Sequence, residues 1–494
     1  MSVVLAAEMR ALEQAAFDRG VEAGELMDQA GAGIARRLMA MVPGPGRAVA
    51  FIGKGNNGGD ALVVLEELRK AGWEIGIEAG HPGQEWGVLS RQRARRLGLE
   101  AGQWPEGEKG PLVLLDGLLG IGGRGGLREP LRAMAAKMEA LRRGRGALVM
   151  AMDLPSGVDA DSGEAGDGAV VADVTFTVGV AKAGLLKDAA VNHVGRLVLV
   201  PLEELPMPQG GDLRVACAEG FRGLLAPREH DFHKGRAGRV GVLAGSPGMT
   251  GAGVLAASGA LRGGGGVVSG FLDGEGFMTL SAPVRAEVMV RVDEDPVAAV
   301  FDSQADGLVI GPGIGRIAER QKEKLMERLA ASDRPVVLDA DALNLIAASG
   351  RFDLFGASSV VTPHPGEFAR LAPDLAKLPR EEAARRFADR HGCTLLLKGA
   401  RSLVASVDGV VRWNPTGHAG MATGGQGDVL AGVCGALLAA GNAPADAAML
   451  AAWVCGRAAE RAISHGGQSE ESLLAGDVLA ALGGAFADWR ERRR

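Results

Sequence analysis

At 494 residues the chain has material for two or three domains, and either half is long enough to bury a sizeable core. It carries 77 glycines without a collagen period and no tyrosine, and its net charge of −6 argues against a general nucleic-acid binder, whose affinity rests on Lys and Arg neutralising phosphates. Cys217, Cys393, Cys434 and Cys455 lie far apart with no CxxC spacing, which excludes a zinc finger or a disulfide framework, and no apolar run is long enough for a signal peptide or a bilayer span, so a cytoplasmic protein is expected.

Residues 3–41 predict two helices, the second with Leu26, Ala30, Ile34 and Leu38 recurring as one apolar stripe. Strand and helix then alternate: strand 48–53, helix 60–71, strand 74–79, helix 85–98, strand 111–116, helix 127–143, strand 147–152, and strands near 171–178 and 196–201. Such alternation predicts an α/β fold, a mostly parallel sheet with helices on both faces and ligands beyond the carboxyl ends of the strands. Three of those ends carry polar loops: GKGNNGGD from Gly53 to Asp60, DGLLGIGGRGG from Asp116 to Gly126, and DLPSGVD from Asp153 to Asp159. The first two contain GxGxxG, a weak dinucleotide signal even when repeated. Together the loops could bring Asn57, Asp116 and Ser156 into one oxygen-only set, the kind a hard monovalent or divalent cation prefers. Asp60 and Asp153 remain for substrate binding or proton transfer. Taken singly, each loop also fits a plain turn.

GNNGGD, the Asp116 loop, MDLPSGVDADSG and TFTVGVAKAGLL resemble the YjeF N-terminal domain, which includes the NAD(P)H-hydrate epimerases, over about residues 5 to 202. The resemblance implies a three-layer Rossmann-like fold and a potassium ion near Asn57, Asp116 and Ser156. It also implies a hydrate held by Asn56, Asn57, Gly58, Gly59 and Asp60, by Gly120, Ile121, Gly122, Gly123, Arg124, Gly125 and Gly126, and by Asp153, with Asp153 as the catalytic candidate. Two departures stand out: Ala61 where glycine is usual, and Ile121 where a threonine hydroxyl would offer a phosphate contact.

Pro201 to Asp212 has the Pro and Gly content of a linker, giving an expected first domain of 1–205, a linker of 206–218 and a second domain of 219–494. Beyond it come a basic loop with Lys234 and Arg236, a strand at 239–244, a Gly-rich turn and an Ala/Gly helix. LVIGPGIG follows, then VVLDADALN, in which Asp339 and Asp341 share a face if the strand persists. VVTPHPGEF offers His364, which could meet substrate or brace its loop, and TLLLKGARS places Lys398 at a strand end. Asp408–Gly409 suits a two-residue type I′ hairpin turn.

The chain is then delivered to NPTGHAGMATGGQGDVLAG, Asn414 to Gly432. Here Gly424, Gly425 and Gly427 fall where a loop becomes a helix N-terminus, so bare N–H groups and the positive end of the helix dipole suit a phosphate. Asp428, expected at the first helical position, would take a proton from a hydroxyl attacking the phosphate, or would simply favour the N-terminus. The tail Arg490 to Arg494 reads as solvated.

These motifs in this order resemble the ribokinase-like fold, and within it the YjeF C-terminal NAD(P)H-hydrate dehydratases, over about residues 220 to 485. The resemblance implies that Ala252, Gly313, His364 and Asp428 meet the hydrate, that Lys398, Gly399, Ala400, Arg401, Ser402 and Gly427 hold the nucleotide, and that Asp428 is catalytic. Gln426 stands where serine or threonine is common. An epimerase-like half followed by a dehydratase-like half implies repair of hydrated NADH and NADPH, with ADP as phosphoryl donor, AMP and phosphate as products, magnesium as a further ion and a homo-oligomeric assembly. A vitamin-type kinase and a ligand-sensing first half are the alternatives.

Overall fold

Short runs of Val, Leu, Ile and Ala, apolar at nearly every position, form the strands of both halves, as expected where helices cover both faces of a parallel sheet. The computed structural model describes residues 1–494 except 43, 108, 124, 207, 209, 219–222, 226, 277–285, 316 and 492–494. The chain divides into two compact units, Met1–Gly211 and Asp212–Arg494.

In the first unit six parallel strands lie in the order Glu74–Ala79, Arg47–Ile52, Leu112–Gly117, Leu148–Met152, Val174–Val178, Arg196–Val200. The chain leaves Arg47–Ile52 in one direction and returns on its other side at Leu112–Gly117. That reversal opens a crevice beyond the carboxyl ends of these two strands. The stripe on helix Ala23–Met41 is buried, with Leu26, Ala30, Ile34 and Leu38 each at 7% exposure or less. The next helix begins earlier than expected, at Asn56. Asn56 to Gly59 form its first turn rather than a loop, and the glycines permit this, since a Cβ at Gly59 would lie 2.5 Å from Met27. A separate two-stranded parallel pair joins Val3–Val4 to Ala181–Lys182.

The second unit holds a ten-stranded sheet. Its parallel centre runs Val267–Leu272, Arg239–Leu243, Gly307–Ile310, Val336–Leu338, Ser359–Val361, Thr394–Leu397, with the reversal of chain direction between Arg239–Leu243 and Gly307–Ile310. Leu213–Val215, inside the stretch read as a linker, pairs with Val411–Trp413 as an edge strand. Two local expectations are corrected. The strand before Asp339 ends at Leu338, Ala340 adopts a left-handed φ of 48°, and Asp341 starts helix Asp341–Ser349, so the two aspartates do not share a strand face. The hairpin Leu403–Ala405 to Val411–Trp413 forms, but through a five-residue loop in which Gly409 alone is left-handed, whereas a type I′ turn needs two such residues.

Helices Thr250–Arg262 and Gln426–Ala439 meet through glycine: a Cβ at Gly432 would fall 2.0 Å from the Ala256 carbonyl oxygen. This backbone contact fixes the helix that carries Asp428. All four cysteines are buried, and among the described residues no helix is long and apolar enough to cross a membrane.

Candidate functional site

In the first unit a pocket of about 430 Å³ opens at the strand crevice. Asn56, Asn57 and Asp60 line it from the first turns of helix Asn56–Lys70, Gly120 to Gly123 from the loop after Leu112–Gly117, and Asp153 from the end of Leu148–Met152. Gly58 and Gly59 lie outside that lining, packed towards Ile52 and Met27, and Gly126 packs against Asp167. Gly125 is left-handed, with φ 73°, and also lies outside the lining. Arg124 lies outside the described residues.

Asp153 has a left-handed backbone, φ 66°, a conformation that a short polar side chain tolerates better than most. Its carboxylate accepts the Val178 N–H at 3.0 Å and the ammonium of Lys182. Lys182 is fully buried, and its Nζ also donates to the Val178 carbonyl at 2.8 Å. Asp60 is half-buried, and desolvation pushes its carboxyl well above the usual carboxylate range, with Asp153 and Glu13 adding to the shift and Lys182 opposing it.

Beside the pocket, Asn57, Asp116 and Ser156 come together. Ser156 donates its N–H and hydroxyl to the Asp116 carboxylate at 2.7 and 2.6 Å, and Leu119 N–H donates to Ser156 Oγ at 2.8 Å. Asn57 Nδ2 donates to the Leu119 carbonyl at 2.9 Å. Burial raises the Asp116 carboxyl to about 6, against the pull of the hydrogen bonds from Ser156 and Leu118. Amide, hydroxyl, carbonyl and a single carboxylate make a hard donor set of low charge, which fits a monovalent cation.

In the second unit a cavity of about 520 Å³ is lined by His364, Lys398, Gly399, Ala400, Ser402 and Gly427, among others. Gly425, left-handed at φ 89°, is the N-cap of helix Gln426–Ala439, and no side chain caps that terminus. Its first N–H groups are therefore left for an anion. Asp428 is the third residue of this helix rather than the first, because the helix already begins at Gln426, and burial, reinforced by the charges of Asp339 and Asp341 and opposed by Lys398, lifts its carboxyl to about 6. Lys398 Nζ pairs with buried Asp339 at 2.7 Å and lies 3.8 Å from Glu367.

His364 both lines the cavity and braces its loop. Its Nδ1 accepts the N–H of Gly366 at 3.0 Å, while Glu367 accepts the His364 N–H at 2.8 Å, closing a capping box. Arg401 is buried outside the lining, its carbonyl accepting from Arg380 at 2.9 Å. Ala252 and Gly313 touch one another, since a Cβ at Gly313 would lie 2.8 Å from that of Ala252, and both stand outside the cavity lining.

Comparison with known proteins follows the same division. A family model described as NAD(P)H-hydrate dehydratase matches residues 240–480, and one for the YjeF-related protein N-terminus matches residues 23–184. Over 487 residues the chain is 36% identical to the bifunctional NAD(P)H-hydrate repair enzyme of Gloeobacter violaceus, covering 92% of each. The chain belongs to the bifunctional NAD(P)H-hydrate repair enzyme family. The member from Escherichia coli is 32% identical over 487 residues, covering 96% of this chain and 91% of that one. Among solved structures, the ADP/ATP-dependent NAD(P)H-hydrate dehydratase of Bacillus subtilis, co-crystallised with ATP and Mg²⁺, is 28% identical with a TM-score of 0.48, covering 57% of this chain and all of that one.

Within this member of the bifunctional repair enzyme family, sequence reasoning passes over Lys182 and Glu13, and it reads Asp339 only by its spacing from Asp341, without its pairing to Lys398. Lys182 lies in a two-residue strand, too short to show a period, that pairs with Val3–Val4 far away in sequence. Glu13 looks like one charge among several on a surface helix, and only the tertiary fold turns it towards the pocket. Gln426 occupies the variant position of the glycine-rich loop. Its side-chain amide oxygen and nitrogen are both buried without a hydrogen-bond partner.

Proposed function

We propose that the first unit interconverts the R and S hydrates of NADH and NADPH, and that the second dehydrates the S form at the expense of ADP. The observation that carries this reading is Asp428, a carboxylate lifted to about 6 at an uncapped helix N-terminus; it stands outside the lining of the 520 Å³ cavity, but the two residues before it, Gln426 and Gly427, line that cavity together with Lys398. Asp428 takes the proton of the hydrate's hydroxyl, whose oxygen attacks the terminal phosphorus of ADP, and AMP leaves. Helix N–H groups and Lys398 hold the charge that builds on the transferred group. Phosphate then departs from the ring with the bonding pair, and loss of a neighbouring ring proton restores the double bond. Water leaves poorly from carbon, and phosphate leaves well.

A magnesium ion would be carried on the phosphates of the nucleotide, since Asp339 is committed to Lys398 and Asp341 accepts the Gly315 N–H. In the first unit Asn57, Asp116 and Ser156 would hold potassium, which would supply a fixed positive charge next to the substrate loops. Asp153, fixed by Lys182, binds and orients the hydrate there. Ala252, Gly313 and His364 complete the hydrate side of the second site, and Gly399 to Ser402 the nucleotide side. The same reading takes the protein to be cytoplasmic and homo-oligomeric, with small-molecule partners and neither nucleic acid nor membrane.

The test is recovery of NADH absorbance from a mixture of R and S NADH hydrates with ADP, ATP or neither. Full recovery with ADP, after subtraction of spontaneous epimerisation, is expected. Recovery that stops at the S fraction would remove the epimerase assignment, and a phosphorylated product that persists would make the second unit a kinase.

A further inference from the structure

The epimerase reading leaves one group in the first pocket without a task. Glu13 belongs to helix Ala6–Phe17, ahead of the segment 23–184 that matches the family model, and its half-buried side chain lines the pocket together with Asp60, Asp153 and Lys182. The ammonium of Lys182 is already committed to Asp153 and to the Val178 carbonyl. Among the described residues no ion pair or hydrogen bond holds the carboxyl of Glu13 or of Asp60.

We propose that Glu13 is a catalytic residue of epimerisation, acting with Asp60, which lines the same pocket, as an acid–base pair at the hydroxyl of the hydrate. The inference rests on the epimerase reading of this unit. The charge of Glu13 raises the Asp60 carboxyl, so ionisation of one disfavours ionisation of the other, the arrangement in which one group serves as acid and the other as base. Burial raises both groups and the charge of Asp153 raises them further, while Lys182 lowers both and Arg10 lowers Glu13. The pocket residues contributed by helix Ala23–Met41, which are Ala23, Leu26, Met27 and Ala30, carry no charge.

The chemistry balances without a further reactant. In a hydrated nicotinamide ring the carbon bearing the hydroxyl is bonded to the ring nitrogen. The acid of the pair gives its proton to the hydroxyl oxygen, the C–O bond breaks with its electron pair leaving on water, and the nitrogen lone pair forms a C=N⁺ bond. Water adds to the opposite face, the C=N⁺ electrons return to nitrogen, and the carboxylate of the pair takes the proton released. One proton is given and one recovered per turnover.

The experiment measures interconversion of separated R and S NADH hydrates by the full-length chain between pH 5 and 9, for wild type, Glu13→Gln and Glu13→Asp. Glu13→Gln is expected to lower kcat about 100-fold with KM within about threefold, and to remove one limb of the pH profile. Glu13→Asp is expected to recover activity to within about tenfold of wild type, which separates a proton-transfer role from a packing role. Glu13→Gln with wild-type kcat and pH profile overturns the inference and leaves the epimerase reading standing. Glu13→Asp as inactive as Glu13→Gln, with both variants melting at the wild-type temperature, also overturns it. Wild-type protein that interconverts the hydrates no faster than buffer overturns the epimerase reading and this inference with it.

Discussion

In the first pocket three carboxyls, Glu13, Asp60 and Asp153, surround one ammonium, that of Lys182, which is locked to protein oxygens. In the second, Lys398 pairs with Asp339 from a side chain that is 18% exposed at the cavity wall, and Asp428 sits apart at a helix N-terminus. The difference matches the demands of the two reactions. Breaking and remaking the same C–O bond needs protons handled on both faces, and internal carboxyls suffice. Removing the hydroxyl for good needs a better leaving group, and in the proposed mechanism the backbone donors and Lys398 of the second site are what hold the phosphate.

The sharpest way to separate the two sites is Asp428→Asn. Dehydration should fall about 1,000-fold while epimerisation stays at the wild-type rate, both followed on the same preparation with S hydrate and with separated epimers. Dehydration persisting near the wild-type rate would strip Asp428 of its role. The mirror experiment is Lys182→Met. Removing one partner of a buried pair leaves the Asp153 charge uncompensated, so the first unit should lose about 3 kcal/mol of stability in a denaturant titration. Epimerisation should fall about 100-fold, with dehydration of S hydrate spared.

The pH dependence sharpens the contrast with a smaller effect. In the proposed dehydration Asp428 is the base, so it must be ionised, and its carboxyl is raised to about 6. The kcat/KM of dehydration should therefore climb about tenfold per pH unit below that value and level off above it. A profile flat from pH 5 to 8 would contradict the assignment. The smallest change expected is from Gln426→Ser. Deleting an amide whose oxygen and nitrogen are buried and unpartnered should raise the stability of the second unit by about 1 kcal/mol, read from its melting transition, with dehydration within about threefold of wild type. A large rise in the KM for ADP would show instead that the amide contacts the nucleotide.

Much of this arrangement could be read in advance wherever local pattern and tertiary fold agree. The stripe Leu26, Ala30, Ile34 and Leu38 is buried as its period requires, and the polar loops at 53–60, 116–126 and 153–159 do converge because parallel strands end on one edge. What local pattern could not give depended on distant chain. Leu213–Val215 becomes a strand only because Val411–Trp413 offers an open edge, and three residues among Gly, Asp and Pro carry too little period to show it. The aspartates of VVLDADALN were separated by Ala340, whose left-handed backbone has no sequence signature in an alanine. Lys182 and Glu13 gain their meaning from a pocket assembled by residues more than a hundred positions apart.

The backbone at Asp153 also limits how this site can drift through evolution. With φ at 66°, most L side chains would add about 1–2 kcal/mol of strain there, whereas asparagine, aspartate and glycine fit at little cost. Replacing Asp153 with asparagine or glycine would therefore remove its charge without straining the backbone, so the position can be made neutral with the fold of the first unit kept.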